Sequence, residues 1–171
     1  QTNSIKGFEA LLRWIHPSRG LVPPDKFIDV AEQSSLIIPI GIWILHQAIH
    51  DIKWLHKKTS LNNLFISINV SSRQLDDPNF VNEMIKVQKK FSINPNLVKL
   101  EVTERVFHEG PIVLDSINRC RQMGYAFSLD DFGTGYASMT TLFNLTVDAI
   151  KIDRIFVNKV TKDPKSMAIV Q

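Results

Sequence analysis

Five apolar segments of this chain end in a carboxylate, an amide or an amine. They are Phe8-Glu9-Ala10-Leu11, Ile68-Asn69-Val70, Leu100-Glu101-Val102-Thr103-Glu104, Leu129-Asp130-Asp131-Phe132-Gly133 and Ile150-Lys151-Ile152-Asp153. Polar residues that follow parallel strands meet at one mouth of a (β/α) barrel. The segments therefore predict a site where charged groups from distant parts of the chain come together.

The alternation of side chains within these strands predicts which groups share a face. Side chains along a strand alternate between its two faces, so one face carries the polar residues and the other the apolar ones. In a barrel the apolar face packs under the helices and the polar face points inward. The polar groups expected to converge on the barrel axis are Glu9, Asn69, Glu101, Asp130 and Lys151.

Carboxylates gathered in this way require protons, basic partners or a cation, because an unpaired buried charge is costly. A single lysine, Lys151, does not neutralise three or four acids. Carboxylate and amide oxygens favour Mg²⁺ or Mn²⁺ over zinc, which usually recruits histidine or cysteine. The adjacent Asp130 and Asp131 could bridge two such ions.

The elements that would position these groups alternate along the chain. Hydrophobic periodicity, caps and breakers predict them. The predicted strands are residues 5–11, 64–70, 98–104, 126–130 and 148–152, and the predicted helices are residues 24–34, 39–58, 78–91, 111–123 and 137–143. The buried stripe expected for the second helix consists of Ile40, Ile44, Ala48, Ile52 and Leu55. This order predicts an α/β protein with a parallel sheet.

Composition is consistent with a globular domain and limits the classes of partner. The 171 residues are 44% hydrophobic, and the net charge of +3 comes from lysines scattered over the predicted helices. This pattern favours solvated helix faces over binding of a nucleic-acid polymer, and it is compatible with a small anionic ligand. The single cysteine, Cys120, shares a helical stripe with Val113 and Ile117 and is expected to be a packing residue.

Cysteine usage and hydropathy also predict a compartment. A chain without an intrachain disulfide suits the reducing cytoplasm. No apolar run approaches the ~20 residues of a membrane span, and no basic segment followed by an apolar one stands at the start. We therefore expect no membrane contact within this chain, although a parent protein could be membrane-anchored.

The motifs together resemble the EAL domain family of cyclic di-GMP phosphodiesterases. The resemblance begins at Gly-Phe-Glu-Ala-Leu-Leu-Arg-Trp around Glu9 and covers essentially the whole chain in family order. The other matching motifs are His16-Pro17-Ser18-Arg19-Gly20-Leu21-Val22-Pro23-Pro24, Ser67-Ile68-Asn69-Val70-Ser71, Glu101-Val102-Thr103-Glu104, Asp130-Asp131-Phe132-Gly133-Thr134-Gly135-Tyr136 and Ile150-Lys151-Ile152-Asp153.

The resemblance implies a TIM-like barrel and a reaction. That reaction is the Mg²⁺- or Mn²⁺-dependent hydrolysis of cyclic di-GMP to linear 5'-pGpG, which terminates second-messenger signalling. Two cations would polarise the phosphoryl group and lower the pKa of a water, so that no covalent nucleophile is required. The implied ligands of the first ion are Glu9, Asn69, Glu101 and Asp130, and those of the second are Asp130 and Asp131.

The resemblance also implies the roles of the remaining site residues. Lys151 and Asp131 would act in catalysis, with Lys151 orienting the attacking water or stabilising developing charge. Glu104 has the wrong parity to join Glu101, and it would instead support the loop of residues 132–138, where Gly133 and Gly135 supply backbone freedom. The residues implied to contact the substrate are Glu9, Leu11, Arg13, Asn69 and Asp153.

A complete barrel of this family has eight strands, and the five predicted here correspond to about the second through the sixth. We therefore expect residues 1–171 to be an EAL domain that lacks its first strand and its last two β/α units. A further catalytic glutamate and a late glutamine would follow Gln171. An open barrel exposes two sheet edges, so we expect the isolated chain to be poorly active or inactive.

Two other functions remain open, and both keep the same fold. One is a receptor that binds cyclic di-GMP without cleaving it, although receptors of this family tend to lose metal ligands that are present here. The other is a dimerisation or signalling module. Members of the family often form homodimers and are fused to sensory, receiver or diguanylate cyclase domains.

Two short motifs resemble those of other enzymes but lack the residues that those enzymes need. Asp131-Phe132-Gly133 resembles the metal-binding motif of protein kinases, but neither a glycine-rich loop nor a His-Arg-Asp motif precedes it. The segment His46-Gln47-Ala48-Ile49-His50 has glutamine where a zinc protease needs its glutamate.

Overall fold

The computed structural model describes residues 4–59, 61–133 and 147–170. The strands are β1 (Gly7–Ala10), β2 (Trp14–His16), β3 (Gly20–Val22), β4 (Phe65–Asn69), β5 (Val98–Thr103), β6 (Ala126–Phe132) and β7 (Ala149–Ile152). The α-helices are α1 (Ile28–Gln33), α2 (Ile37–Thr59), α3 (Ser72–Leu75), α4 (Phe80–Phe91), α5 (Pro111–Gln122), α6 (Arg154–Val157) and α7 (Pro164–Val170). Turns of 3₁₀ helix cover Pro24–Lys26, Pro95–Leu97 and Glu104–His108.

Five of these strands form one parallel sheet in the order β1-β4-β5-β6-β7, and each neighbouring pair is parallel. The sheet is curled, and helices pack on its outer face. Each predicted strand corresponds to one of these five, so the alternating β/α order predicted from the sequence is confirmed. The predicted helix at residues 137–143 lies outside the described residues.

The outer face of the three central strands forms the core. It presents Ile66 and Ile68 of β4, Leu100 of β5, and Phe127 and Leu129 of β6, all of them buried. Helices α2, α4 and α5 cover this face, and their contributions include Ile49, Ile52, Met84, Val113 and Ile117. The predicted division into an apolar and a polar face therefore holds where helices cover the sheet. On the flanking strands, Phe8 and Ile150 are more than one-third exposed.

Two sequence predictions about the helices are corrected. The helix expected at residues 24–34 is interrupted at Phe27, whose backbone leaves the helical region, so a 3₁₀ turn precedes the short helix α1. The buried stripe of α2 also differs from the expected one, because Leu45 and Ile49 are buried while Ile40 and Ile44 are only half-buried. The helix packs against both α4 and β4, which shifts its buried face.

A short antiparallel hairpin of β2 and β3 follows β1 and was not predicted. Each of its strands has three residues, which is too short for alternation to be recognised. Trp14 packs edge-on against Phe27, with ring centroids 5.5 Å apart, and so attaches the hairpin to the segment before α1. None of the described helices is both long and apolar enough to cross a membrane.

Helix α2 approaches the start of α3 closely at Gly41. A Cβ atom added to Gly41 would fall on the Nε2 atom of Gln74, a side chain that is only 7% exposed. Gln74 completes a capping box, because its Oε1 accepts from the backbone N–H of Ser71 at 3.1 Å while the Ser71 Oγ accepts from the Gln74 N–H. The missing side chain of Gly41 thus leaves space for the residue that caps α3.

Replacing Gly41 with alanine is expected to destabilise the fold, although alanine favours helix by about 1 kcal/mol. Displacing Gln74 leaves buried polar groups without partners, which costs about 1–3 kcal/mol. The free energy of unfolding in urea measures the difference. In a Gln74→Ala background the same change should become neutral or stabilising, and equal losses in both backgrounds would contradict the steric explanation.

The thiol of Cys120 gives the stability a dependence on alkaline pH. Cys120 is fully buried, and burial raises its pKa from 9.0 to about 12 against a smaller opposing effect of the Arg119 charge. The folded protein therefore keeps a proton that the unfolded chain releases, so stability falls as pH rises from the ordinary pKa toward the raised one.

Between about pH 8 and about pH 10.5 we expect the wild type to lose about 2 kcal/mol more stability than Cys120→Ala, whose side chain does not titrate. Urea unfolding at the two pH values measures this difference. Parallel losses in the two proteins would show that the thiol is not the titrating group.

Candidate metal centre

The register of the sheet brings the predicted polar groups onto one face. Asn69 of β4 is aligned with Glu101 of β5, and Glu101 is aligned with Ser128 of β6. Aligned residues on neighbouring parallel strands point to the same side, and so do residues two apart along one strand. Glu9 is aligned with Ser67, which lies two residues before Asn69, so Glu9 shares the face of Asn69. Ser128 is aligned with Ala149. Asp130 and Lys151 lie two residues after Ser128 and Ala149, so they are on the same face too.

Three carboxylates from different strands meet on this face. Glu9, Glu101 and Asp130 each offer an oxygen, and these oxygens all lie within 4.8 Å of one another. Asn69 adjoins the group, because its Nδ2 donates to Glu9 Oε1 at 3.1 Å. That hydrogen bond orients the amide, and the amide oxygen can serve as a further hard ligand for a metal ion.

The donor set fits a hard divalent cation. Oxygen ligands lie roughly 2.0–2.6 Å from Mg²⁺ or Ca²⁺, so two ligands of one ion lie no more than about 5 Å apart. The carboxylate oxygens satisfy this limit. Neither histidine nor cysteine is among them, which disfavours zinc.

Lys151 lies among the carboxylates. Its Nζ is 2.6 Å from Glu101 Oε2, 3.3 Å from Glu9 Oε2 and 3.5 Å from Asp130 Oδ2. Burial lowers the pKa of this lysine, but the hydrogen bond to Glu101 and the charges of Glu101, Asp130 and Glu9 outweigh burial and raise it. Lys151 is therefore a cation at neutral pH, and one ammonium faces three acids.

Strand β6 contains a bulge at the acidic pair. Leu129 is aligned with Ile150, and Phe132 with Ile152, so two residues of β6 lie opposite Lys151 alone. Asp131 has φ 53°, a left-handed conformation that aspartate tolerates better than most residues. Regular alternation would have put Asp130 and Asp131 on opposite faces, whereas in the bulged strand Asp131 lines the same cleft as Glu101.

Asp131 interacts with Asp153 beyond the neighbouring strand. Burial and the charges of Asp130 and Asp153 raise the pKa of Asp131, while the charge of Lys151 opposes them. Asp153 also caps α6 by accepting the Ile155 N–H at 2.6 Å. Asp153 therefore lies beside the acidic pair, and Asp131 adjoins the three-carboxylate group through its neighbour Asp130.

Glu104 contacts the loop that follows β6. It is only 5% exposed, and its Oε1 accepts the backbone N–H of Gly133 at 2.5 Å. Gly133 has φ +98°, which favours glycine. Of the loop residues 132–138 that Glu104 was expected to support, those after Gly133 lie outside the described residues.

A cleft of about 980 Å³ lies beside the carboxylates, over the carboxyl ends of the strands. Asn69, Glu101 and Asp131 line it, as do the predicted substrate contacts Leu11 and Arg13. The Arg13 guanidinium donates to the carbonyl of Leu12 at 2.7 Å. The cleft is large enough for a nucleotide-sized ligand, since ligand sites commonly measure about 300–1,000 Å³.

One feature beside the site was not predicted, although a sequence signal for it exists. The turn directly after Asn69 is fixed by the capping box of Ser71 and Gln74. The pattern Ser-x-x-Gln before an apolar residue is a known start signal for a helix. This box sets where β4 ends, and so where Asn69 lies relative to the neighbouring strands.

Comparison with known proteins identifies relatives over nearly the whole chain. The cyclic di-GMP phosphodiesterase PdeR of Escherichia coli K12 is 37% identical over 98% of this chain, which corresponds to 25% of that protein. The cyclic di-GMP phosphodiesterase PA2567 of Pseudomonas aeruginosa is 34% identical over 99% of this chain and 29% of that protein. The chain thus spans well under half the length of these curated relatives.

Solved structures share the fold. The EAL enzyme Bd1971, in its cAMP- and cyclic-di-GMP-bound form, is 44% identical with a TM-score of 0.88 over 95% of this chain and 45% of that one. The PaMucR phosphodiesterase in complex with c-di-GMP is 36% identical with a TM-score of 0.86 over 96% of this chain and 67% of that one. These similarities confirm the predicted TIM-like (β/α) class.

The family model of the EAL domain matches residues 1–171. The match agrees with the parallel sheet and with the acids gathered at the carboxyl ends of its strands. This chain belongs to the EAL domain family.

Proposed function

We propose that this chain carries the catalytic face of a phosphodiesterase that hydrolyses cyclic di-GMP to linear 5'-pGpG. Relatives at 34–37% identity are named cyclic di-GMP phosphodiesterases, and a 36% identical structure is a c-di-GMP complex. The observation that carries the proposal is the meeting of Glu9, Glu101 and Asp130 around Lys151. Acids from three strands next to a nucleotide-sized cleft suit chemistry on a phosphodiester.

The proposed cofactor is Mg²⁺ or Mn²⁺, with two ions at the complete site. Glu9, Asn69, Glu101 and Asp130 would hold one ion, and Asp130 together with Asp131 would hold the other. When bound, such ions polarise phosphoryl oxygens and lower the pKa of water. Support for this ligand set comes from the spacing of Glu9, Glu101 and Asp130 and from the position of Asp131 on the adjoining cleft.

The remaining residues orient the groups and supply charge. Lys151, kept protonated by the surrounding acids, would orient the attacking water or stabilise negative charge that develops on the phosphoryl group. Asn69 holds the Glu9 carboxylate through its amide N–H. Glu104 fixes the turn at Gly133 and, with it, the end of β6.

Substrate contacts are proposed at the edges of the same cleft. Arg13 would meet a phosphate of cyclic di-GMP, because it lines the cleft and its guanidinium carries a permanent positive charge. Leu11 lines the same wall and offers an apolar surface that is 56% exposed. Asp153 would act near Asp131, whose pKa its charge raises.

The proposed setting is a larger protein. The family barrel has eight strands, so residues 1–171 would be completed by a preceding strand and two following β/α units. The relatives are three to five times longer than the matched segment, and one is named a bifunctional diguanylate cyclase/cyclic di-GMP phosphodiesterase. We place the protein in the cytoplasm, as a homodimer fused to sensory, receiver or diguanylate cyclase domains, with a membrane anchor only outside this chain.

The metal ligands are tested by two isosteric substitutions, Glu9→Gln and Asp130→Asn, in a version extended at both ends to the full domain. Each removes one anionic ligand without changing its size, so we expect loss of hydrolysis by at least about 100-fold. The linear product is followed chromatographically with Mg²⁺, Mn²⁺ or Ca²⁺. Asp115→Asn, an exposed acid on α5, is the matched control and should retain activity.

The same assay separates the alternatives. An extended wild type that binds cyclic di-GMP but never cleaves it would be a receptor. A ligand-insensitive dimer without dinucleotide affinity would be a signalling module. Unchanged cleavage by either substituted protein would refute the ligand assignment, and turnover by a monomer of residues 1–171 would refute the proposed incompleteness.

Substitution of Lys151 by methionine tests the role of its charge. We expect kcat to fall by about 10²–10³, because one preorganised positive group that stabilises the transition state is lost. Mn²⁺ affinity should stay the same or rise, because the ammonium no longer competes for the carboxylates. Isothermal titration with Mn²⁺ and initial rates measure the two effects.

Lys159→Met, at an exposed position outside the sheet, is the control for this experiment. A Lys151→Met protein with normal kcat would exclude Lys151 from the reaction. Equal losses of Mn²⁺ affinity and kcat would instead assign Lys151 to the structure of the site.

A further inference from the structure

The ring of Phe156 contacts the turn at Gly133. A Cβ atom built on Gly133 would lie 2.5 Å from Phe156 Cε2 and within 3.2 Å of two other ring carbons. The half-buried ring therefore occupies the space that a side chain at position 133 would take. Since Glu104 accepts the N–H of the same glycine, one residue of this turn is fixed both by a hydrogen bond and by an aromatic ring.

The segment that carries Phe156 is attached to the end of β6 at a further point. The backbone N–H of Asp153 donates to the Phe132 carbonyl at 3.3 Å. The Asp153 carboxylate also caps α6 by accepting the Ile155 N–H. The segment from Asp153 to Phe156 thus contacts the end of β6 at Phe132 and the turn that follows it at Gly133.

We propose that Phe156 is a positioning residue, which holds the turn at Gly133 and thereby fixes the bulge at Asp130 and Asp131 and, with it, the position of the Asp130 carboxylate. Its effect on hydrolysis rests on the proposed function, whereas its effect on cation binding does not. Phe156 lies outside the carboxylate cluster and acts on it through the backbone of β6.

The bulge contains strained backbone conformations that need support from the surrounding structure. Asp131 is left-handed at φ 53° and Gly133 at φ +98°, so two of three consecutive residues occupy a region that side chains rarely adopt. Such conformations persist where the surroundings hold them. Removing the ring would leave a void against Gly133 and allow the turn to relax, which spreads the carboxylates that precede it.

The test compares Phe156→Ala and Phe156→Leu with Ile155→Ala, a half-exposed neighbour on the same helix. The proteins are extended to the full domain, and Mn²⁺ affinity is measured from the EPR signal of free Mn²⁺. Hydrolysis of cyclic di-GMP and thermal unfolding are measured in parallel. We expect Phe156→Ala to weaken Mn²⁺ binding by about 10-fold or more, as for other residues that orient metal ligands. Phe156→Leu should recover most of the affinity, and Ile155→Ala should retain it.

A protein with Phe156→Ala that melts earlier but keeps wild-type Mn²⁺ affinity and kcat would overturn the proposal, because the ring would then only pack. A wild type that binds Mn²⁺ without hydrolysing cyclic di-GMP would refute the proposed function, and the Mn²⁺ affinities would still decide the role of Phe156.

A second substitution keeps the test decisive if Phe156→Ala does not fold. Gly133→Ala places a methyl group against the ring and should weaken Mn²⁺ binding, and adding Phe156→Leu should restore part of it by making room. Unchanged Mn²⁺ affinity in Gly133→Ala would overturn the proposal, because the geometry of the turn would then have no influence on the carboxylates.

Discussion

The mutual repulsion of Glu9, Glu101 and Asp130 is the constraint on which the site depends. Their oxygens lie within 4.8 Å of one another, and the ammonium of Lys151 is the cation in contact with all three among the described residues. Such a group is stable only where the backbone cannot relax and where positive charge is close. The parallel register supplies the first condition, because each acid stands on a strand paired to its neighbours. Lys151 supplies part of the second and leaves negative charge that a divalent cation would compensate.

Much of this arrangement could be predicted from the sequence, because strand alternation is a local property with a period of two. Once Ile66, Leu100 and Phe127 are assigned to the helix-covered face, Asn69, Glu101 and Asp130 follow on the other. Because neighbouring strands are parallel and aligned, the polar residues of each strand lie on the same face of the sheet. The prediction was strongest at the central strands, where both faces have distinct environments, and weaker at the flanks, where Phe8 is 42% exposed.

Other features could not be predicted, because they depend on contacts between segments that have no common period. The bulge in β6 is invisible to an alternation rule, which assigns Asp131 to the apolar face. The steric fit of Gly41 against Gln74, and of Gly133 against Phe156, joins residues 33 and 23 positions apart in the chain. The break in the predicted helix at Phe27 also involves a contact with a distant segment. The Phe27 ring packs against Trp14, which lies in a hairpin whose strands are too short to be recognised from the sequence.

The bulge also removes the second acid of the Asp130-Asp131 pair from the regular alternation of the strand. A regular strand directs neighbouring side chains to opposite faces, so it can offer only one of two consecutive carboxylates to the barrel interior. Holding Asp131 in a left-handed conformation costs about 1–2 kcal/mol. Phe127 precedes the bulge on the same strand and is fully buried. Burial of one such large apolar side chain contributes about 1.5–3 kcal/mol to the stability of the fold. The core under β6 can therefore offset the strain at its end, where the chain departs from regular geometry at Asp131, a residue that lines the same cleft as Glu101.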